Sequence, residues 1–168
     1  MIIDHFRAKA YYYIGAVHFY DVIAVFLILV GLLFFLSNRK ERMTWKYCIY
    51  ICIFALYDSG LLLITLLGRS GISIEDHRFT ASLLPRDYYD LLFNVVMFIP
   101  AGILLLIKHK VFLSVLMVAA MTVSIESLQF IMRCGRFEVI DIVANCAGGL
   151  LGIGIYYLFR MVKTAIQK

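Results

Sequence analysis

Two carboxylates, Glu126 and Asp141, invite a chemical reading because each stands in a run that is otherwise apolar. Glu126 and Gln129 are three residues apart, and Asp141 and Asn145 are four apart, so each pair shares one face of a helix. Asn94 stands early in a third apolar run, one turn after Asp90, and Asp58 lies inside a fourth. Arg133 and Arg136 fall in the short stretch between Glu126 and Asp141. A charged side chain at the centre of a bilayer costs about 2.5–3.5 kcal/mol on insertion scales, so it usually faces a protein interior. Two readings follow, and they do not exclude each other. In the first, Asn94, Gln129, Arg136 and Asn145 line a polar binding pocket. Arginine there suits bidentate recognition of phosphate or carboxylate, and Glu126 or Asp141 would have to supply any acid–base catalysis. In the second, Glu126 pairs with Arg136 or Arg133, and Asn94, Gln129 and Asn145 cross-link helices, each bond contributing about 0.6–2 kcal/mol.

Other chemistries find no support. There is no GxSxG elbow, no HExxH pair and no phosphate-binding glycine loop. None of the four histidines falls in these segments. Cys48 and Cys52 share a helix face inside an apolar run, Cys146 lies in another, and Cys134 lies in a short loop. None has metal-ligand spacing with histidine, so all four read as small apolar residues and no metal is expected. No cofactor is expected either. Asp58 has no basic residue in its run, which leaves a protonated acid, a hydrogen bond to a neighbouring tyrosine, or a contact with another subunit.

The elements that hold these residues follow from composition. Of 168 residues 63% are hydrophobic, and the mean hydropathy is +0.91. Soluble domains are about 45–50% apolar, and a chain this short has too much surface to hide such an excess. Lipid must be the solvent for much of it. Runs of about 20 apolar residues predict membrane helices over His18–Leu36, Lys46–Leu67, Asp90–Ile107, Val111–Met132 and Val139–Phe159. Tyr11, Tyr12, Tyr13 and Tyr20 flank the first as an interfacial belt would. The expected fold class is therefore all-α: a polytopic integral membrane helical bundle of about five transmembrane helices. The absence of internal repeats argues for a single fold unit.

The net charge of +5 has a membrane explanation. No basic patch is long enough to track a nucleic-acid backbone, so no nucleic-acid partner is expected. Arg39, Lys40, Arg42 and Lys46, then Lys108 and Lys110, then Arg160, Lys163 and Lys168 crowd one side of the spans. Basic residues are sparser on the other side. The positive-inside rule then places the first group and the C-terminus in the cytoplasm. This orientation brings Glu126, Asp141, Asn145 and Asn94 to one level, the outer half of the bilayer. The segment from Gly68 to Tyr89 reads as an external loop. Ala144, Gly148 and Gly152, with Gly149 beside them, give span five a face that allows close helix approach. Packing on span three or four is its expected use, and a homo-oligomer through it is the second choice. Pro100 removes one backbone donor from span three and is expected to kink it.

The run Phe93-Asn94-Val95-Val96-Met97-Phe98-Ile99-Pro100-Ala101-Gly102 resembles the N-x-x-x-F-x-P-x-G signature of the VanZ-like family. Glu126-x-x-Gln129, Arg136, Asp141, Asn145, Gly148-Gly149 and Gly152 resemble that family's second block in order and spacing. Glu138 stands where the family commonly carries an acid after its arginine. The stretch Ser82-Leu83-Leu84-Pro85-Arg86 departs from the family's Asn-Leu-x-Pro-Phe segment. The resemblance covers 46–160 as a VanZ-like transmembrane domain. Residues 1–45 are then an N-terminal tail, an additional helix and a basic loop, and 161–168 a cytoplasmic tail. It implies a multi-pass protein of the bacterial plasma membrane, in a family whose founding member is associated with low-level teicoplanin resistance. The expected function is binding or acting on a cell-envelope component at the outer leaflet. Membrane lipids and a lipid-linked envelope precursor or peptidoglycan component are the expected partners. An intramembrane enzyme on lipid-linked phosphates and a non-catalytic membrane scaffold are the alternatives.

Overall fold

The computed structural model describes residues 18–37, 44–67, 79–80, 88–133 and 136–167. Expectations for the segment before His18, for Arg39, Lys40 and Arg42, for Ser82–Arg86 and for Cys134 lie outside these residues. The elements run α1 (Phe19–Ser37), α2 (Trp45–Leu67), β1 (Phe79–Thr80), α3 (Tyr88–Lys108), α4 (Val111–Ile131), β2 (Phe137–Glu138) and α5 (Val139–Ile166). In a bilayer every backbone N–H and C=O must find its partner within the protein, and a long apolar run meets that demand as a helix. Four helices are long and apolar enough to cross a membrane: Trp45–Leu66, Tyr88–Lys108, Val111–Ile131 and Val139–Ile166. In α1 the apolar stretch, Tyr20–Phe35, is shorter. The chain is thus an all-helical, multi-pass membrane protein, and its helices follow the five expected runs closely.

Two compact units divide at Ile72/Ser73. The first holds α1 and α2, packed against each other. At the start of α1 the His18 N–H donates to the Asp21 carboxylate at 3.2 Å, half of a capping box. Trp45 and Tyr20 are exposed, as residues anchoring a span at the interface are. Along α2 Ile51, Ala55, Ser59, Leu61, Leu63 and Thr65 are buried. The two buried hydroxyls bond their own helix: Ser59 Oγ donates to Leu56 O at 2.9 Å and Thr65 Oγ1 to Leu61 O at 2.8 Å. Asp58 is half-buried in this unit.

The second unit is a three-helix bundle. A two-residue connection, His109–Lys110, reverses the chain between α3 and α4. Glycine contacts fix the register of α3 and α5. A Cβ added at Gly148 would meet the Val95 carbonyl oxygen, and one at Gly152 the Ile99 carbonyl oxygen. Both contacts advance by four residues in the same sense, so α3 and α5 run parallel. Gly102 completes this seam against the backbone of Gly149, while a Cβ on Gly149 would stand 2.6 Å from Val118 Cγ1 on α4. Backbones this close allow dense packing without any hydrophobic drive between helices in lipid. Pro100 itself is exposed, and α3 continues through it to Lys108. Ala101 and Gly102 beside it are fully buried.

Two details differ from the expected elements. Phe79–Thr80 pairs in parallel with Phe137–Glu138, in the register Phe79↔Phe137 and Thr80↔Glu138. A ladder of two residues leaves no period to read in a sequence. Helix α5 also runs seven residues past Phe159, to Ile166. Arg160 and Lys163 lie within this extension; both are good helix formers, and their charges end the apolar run without ending the helix.

Candidate functional site

The interior of the second unit is polar at one end. Helix α4 buries Ser114, Val118, Thr122, Ile125, Glu126 and Gln129 on one face, a spacing of three to four residues that tracks the helical repeat. Helix α5 buries Asp141, Ala144, Asn145, Gly148, Gly149, Gly152 and Ile153. Helix α3 buries Asn94 and Phe98 on its inward face. All six pocket and catalytic candidates lie in this unit: Asn94, Glu126, Gln129, Asp141 and Asn145 are buried, and Arg136 is largely so.

Two hydrogen bonds tie α4 to the start of α5. The Glu138 backbone N–H donates to Glu126 Oε2 at 3.1 Å. One turn deeper, Asn145 Nδ2 donates to Thr122 Oγ1 at 2.7 Å. Val118 against Gly149 comes a turn further on. The three contacts step in opposite directions along α4 and α5, so these helices are antiparallel. The Arg136 guanidinium lies 3.8 Å from Glu138 Oε1, both side chains about 15% exposed or less. Arg136 and Glu138 are two apart on an extended segment and therefore share a face.

This arrangement explains how buried carboxylates are tolerated. Glu138 is the N-cap of α5, has extended dihedrals and makes no side-chain cap bond. The first N–H groups of a helix lack internal acceptors, and its N-terminus carries about half a positive charge. The Glu126 carboxylate, from another helix, binds at this end, and Asp141 sits in the first turn. Arg136 adds a full positive charge close by. The result is a largely buried group of acids, a guanidinium and carboxamides gathered in one unit.

The cluster is not internally satisfied. Within it Asn94 Nδ2 and Asn145 Oδ1 are buried without a hydrogen-bond partner among the described residues; Ser114 Oγ, in the first turn of α4 and away from the cluster, is unpartnered there too. Val95, next to Asn94, meets Gly148, one turn after Asn145. By that register Asn94 and Asn145 differ by only about 3 Å along the bundle axis. An orphan donor and an orphan acceptor therefore lie at nearly the same depth on neighbouring helices, where each unmet bond is costly.

The residues named from sequence were the ionisable and carboxamide ones. Thr122 was not among them, yet it accepts the Asn145 amide. Its signal was the four-residue spacing Ser114, Val118, Thr122, Glu126. Hydroxyls are easily passed over in membrane helices because they usually bond their own backbone, as Ser124 does to Ala120 O and Ser127 to Val123 O. Among the described residues no group of three or more His, Cys, Asp or Glu could hold a metal ion. Cys48, Cys52 and Cys146 are free thiols, each half-buried.

The VanZ/LLP1 family model matches residues 22–160, from within α1 to near the end of α5. Protein VanZ of Enterococcus faecium is 36% identical over 83 residues, which are 48% of this chain and 50% of that protein. The alignment thus spans about half the length of this relative. No solved structure matches the chain. With a family model covering most of its length, and with the Asn94–Gly102 and Glu126–Gly152 blocks forming one packed unit, the chain belongs to the VanZ/LLP1 family.

Proposed function

We propose that this VanZ-like protein resides in the bacterial plasma membrane, C-terminus in the cytoplasm, and binds or acts on a cell-envelope component at the outer leaflet. The reading is supported chiefly by one observation. Buried Asn94, Glu126, Gln129, Asp141 and Asn145 come from three helices of one unit, and two of their carboxamide atoms have no hydrogen-bond partner among the described residues. A bundle needing polarity only for cohesion would satisfy it internally. A site for a polar ligand keeps donors and acceptors in reserve. A lipid-linked precursor or a peptidoglycan component presents the phosphates, carboxylates and amides that such groups recognise. A second reading, an intramembrane enzyme, draws on the two buried acids Glu126 and Asp141 beside Arg136.

The founding member's link to teicoplanin makes susceptibility to that glycopeptide the first phenotype to measure. Cells carrying Glu126→Ala, Arg136→Ala or Asp141→Ala should lose any envelope phenotype conferred by the wild type at matched protein levels. Full activity in all three variants at normal levels sinks the proposal. Turnover of labelled lipid-linked phosphates by purified protein, lost in Glu126→Gln, would favour the enzyme over the binding protein.

A further inference from the structure

We infer that the end of α4 forms a binding site for a long-chain lipid phosphate, with Arg133 holding the phosphate and an aromatic groove holding the chain. This rests on the envelope reading above and specifies its ligand. The groove has a volume of about 300 Å³ and is lined by Phe79, Ser127, Phe130, Ile131 and Phe137. Pairing of β1 with β2 brings Phe79 and Phe137 into a stack at 5.3 Å. Among the described lining residues the one hydroxyl, Ser127, donates to Val123 O at 2.7 Å, so this part of the wall presents apolar surface. Ile131 and Phe79 are 73% and 63% exposed. Side chains alternate along an extended segment. Phe137 therefore turns to the groove while Arg136 and Glu138 pair on the other face. A strand two residues wide separates an apolar slot from the polar cluster.

Depth and charge then select the occupant. Helix α4 has 21 residues, about 31 Å, which matches the hydrocarbon core. Its last turn, where the groove lies, meets the headgroup boundary. Arg133 follows directly, exposed, and forms no ion pair with any described residue. Arg133 stands two residues beyond Ile131 of the groove wall, and an apolar slot followed by an exposed cation at the headgroup boundary complements a lipid phosphate. Arg133 also has a left-handed backbone, φ 55°, immediately after the C-cap Met132. Helices usually end with glycine at this position. An arginine that stands there against the backbone's preference is explained if its side chain has a use.

The backbone and ligand roles predict opposite signs. In full-length protein reconstituted in nanodiscs, Arg133→Gly should leave the melting temperature unchanged or raise it. It should also cut photolabelling by a long-chain lipid monophosphate with a diazirine near its head at least about tenfold, the worth of one charge-assisted contact. The matching lipid alcohol should label wild-type protein no better than the phosphate labels Arg133→Gly. Adducts should map to Phe130–Ile131 and Phe137, and Phe137→Ala should lose them. Equal labelling by phosphate and alcohol, undiminished labelling of Arg133→Gly, or protein–protein crosslinks through Phe137 in place of lipid adducts would overturn the inference. If Glu126→Gln abolishes the envelope phenotype while labelling ignores Arg133, the lipid site fails and the polar cluster stands. If labelling depends on Arg133 while Glu126→Gln keeps the phenotype, the cluster fails and the lipid site stands.

Discussion

The two units bury polar groups and glycines in opposite ways. In α2 the buried hydroxyls of Ser59 and Thr65 bond carbonyls of their own helix. In the three-helix unit, Asn145 bonds Thr122 and Glu138 bonds Glu126, each across elements. Gly31 in α1 and Gly60 in α2 have nothing within 4 Å of an added Cβ, whereas Gly102, Gly148 and Gly152 meet backbone of a neighbouring helix. Self-satisfied polarity and open glycines ask nothing of a neighbour. Crossing hydrogen bonds and closed glycines specify one arrangement of α3, α4 and α5. The orphan atoms of Asn94 and Asn145 then stand out, because they sit in the unit whose geometry is most constrained.

The sharpest way to break this contrast is at the glycines. Gly152→Ala should separate α5 from α3 and destabilise the protein by about 1–3 kcal/mol, the range for forced overpacking. Gly60→Ala should be neutral or stabilising by up to about 1 kcal/mol, because it gains helix propensity in open space. Thermal unfolding in detergent or nanodiscs reads both, and equal effects would erase the distinction. Next in size is the crossing hydrogen bond. Asn145→Ala should lower stability by about 0.6–2 kcal/mol, and Thr122→Ala should add little further once Asn145 is gone. A double-mutant cycle measures that coupling, and full additivity would mean that the two side chains do not act together. The smallest effect belongs to α2: Ser59→Ala should change stability by less than about 0.5 kcal/mol, since the lost bond was local.

The membrane architecture was readable because bilayer thickness imposes a length on apolar runs. His18–Leu36 and Val111–Met132 agree with α1 and α4 to within a residue at each end. The residue set of the polar cluster was equally legible, since Glu126, Asp141 and Asn145 violate the apolar pattern. Their connections were not. The Glu138 N–H is available to Glu126 only because β2 is extended where α5 begins, a geometry with no periodic trace. Thr122 shares the four-residue spacing of Glu126, but a hydroxyl in an apolar helix usually bonds its own backbone, so the spacing does not point to Asn145. The β1–β2 pairing joins residues 58 positions apart in register, and no local rule anticipates it. Asp58, as conspicuous in sequence as Glu126, belongs to the other unit, where it is half-buried.

The central claim is that the buried cluster exists to meet a ligand and not only to hold helices together. Glu126→Gln tests it most directly. The amide keeps the size of the side chain and an oxygen acceptor for the Glu138 N–H, while removing the charge. Wild-type and Glu126→Gln proteins should be compared for membrane level, unfolding temperature and teicoplanin susceptibility in the same cells. Normal abundance and near-normal stability with the envelope phenotype lost is the expected result. A variant that is equally abundant, equally stable and fully active would contradict it.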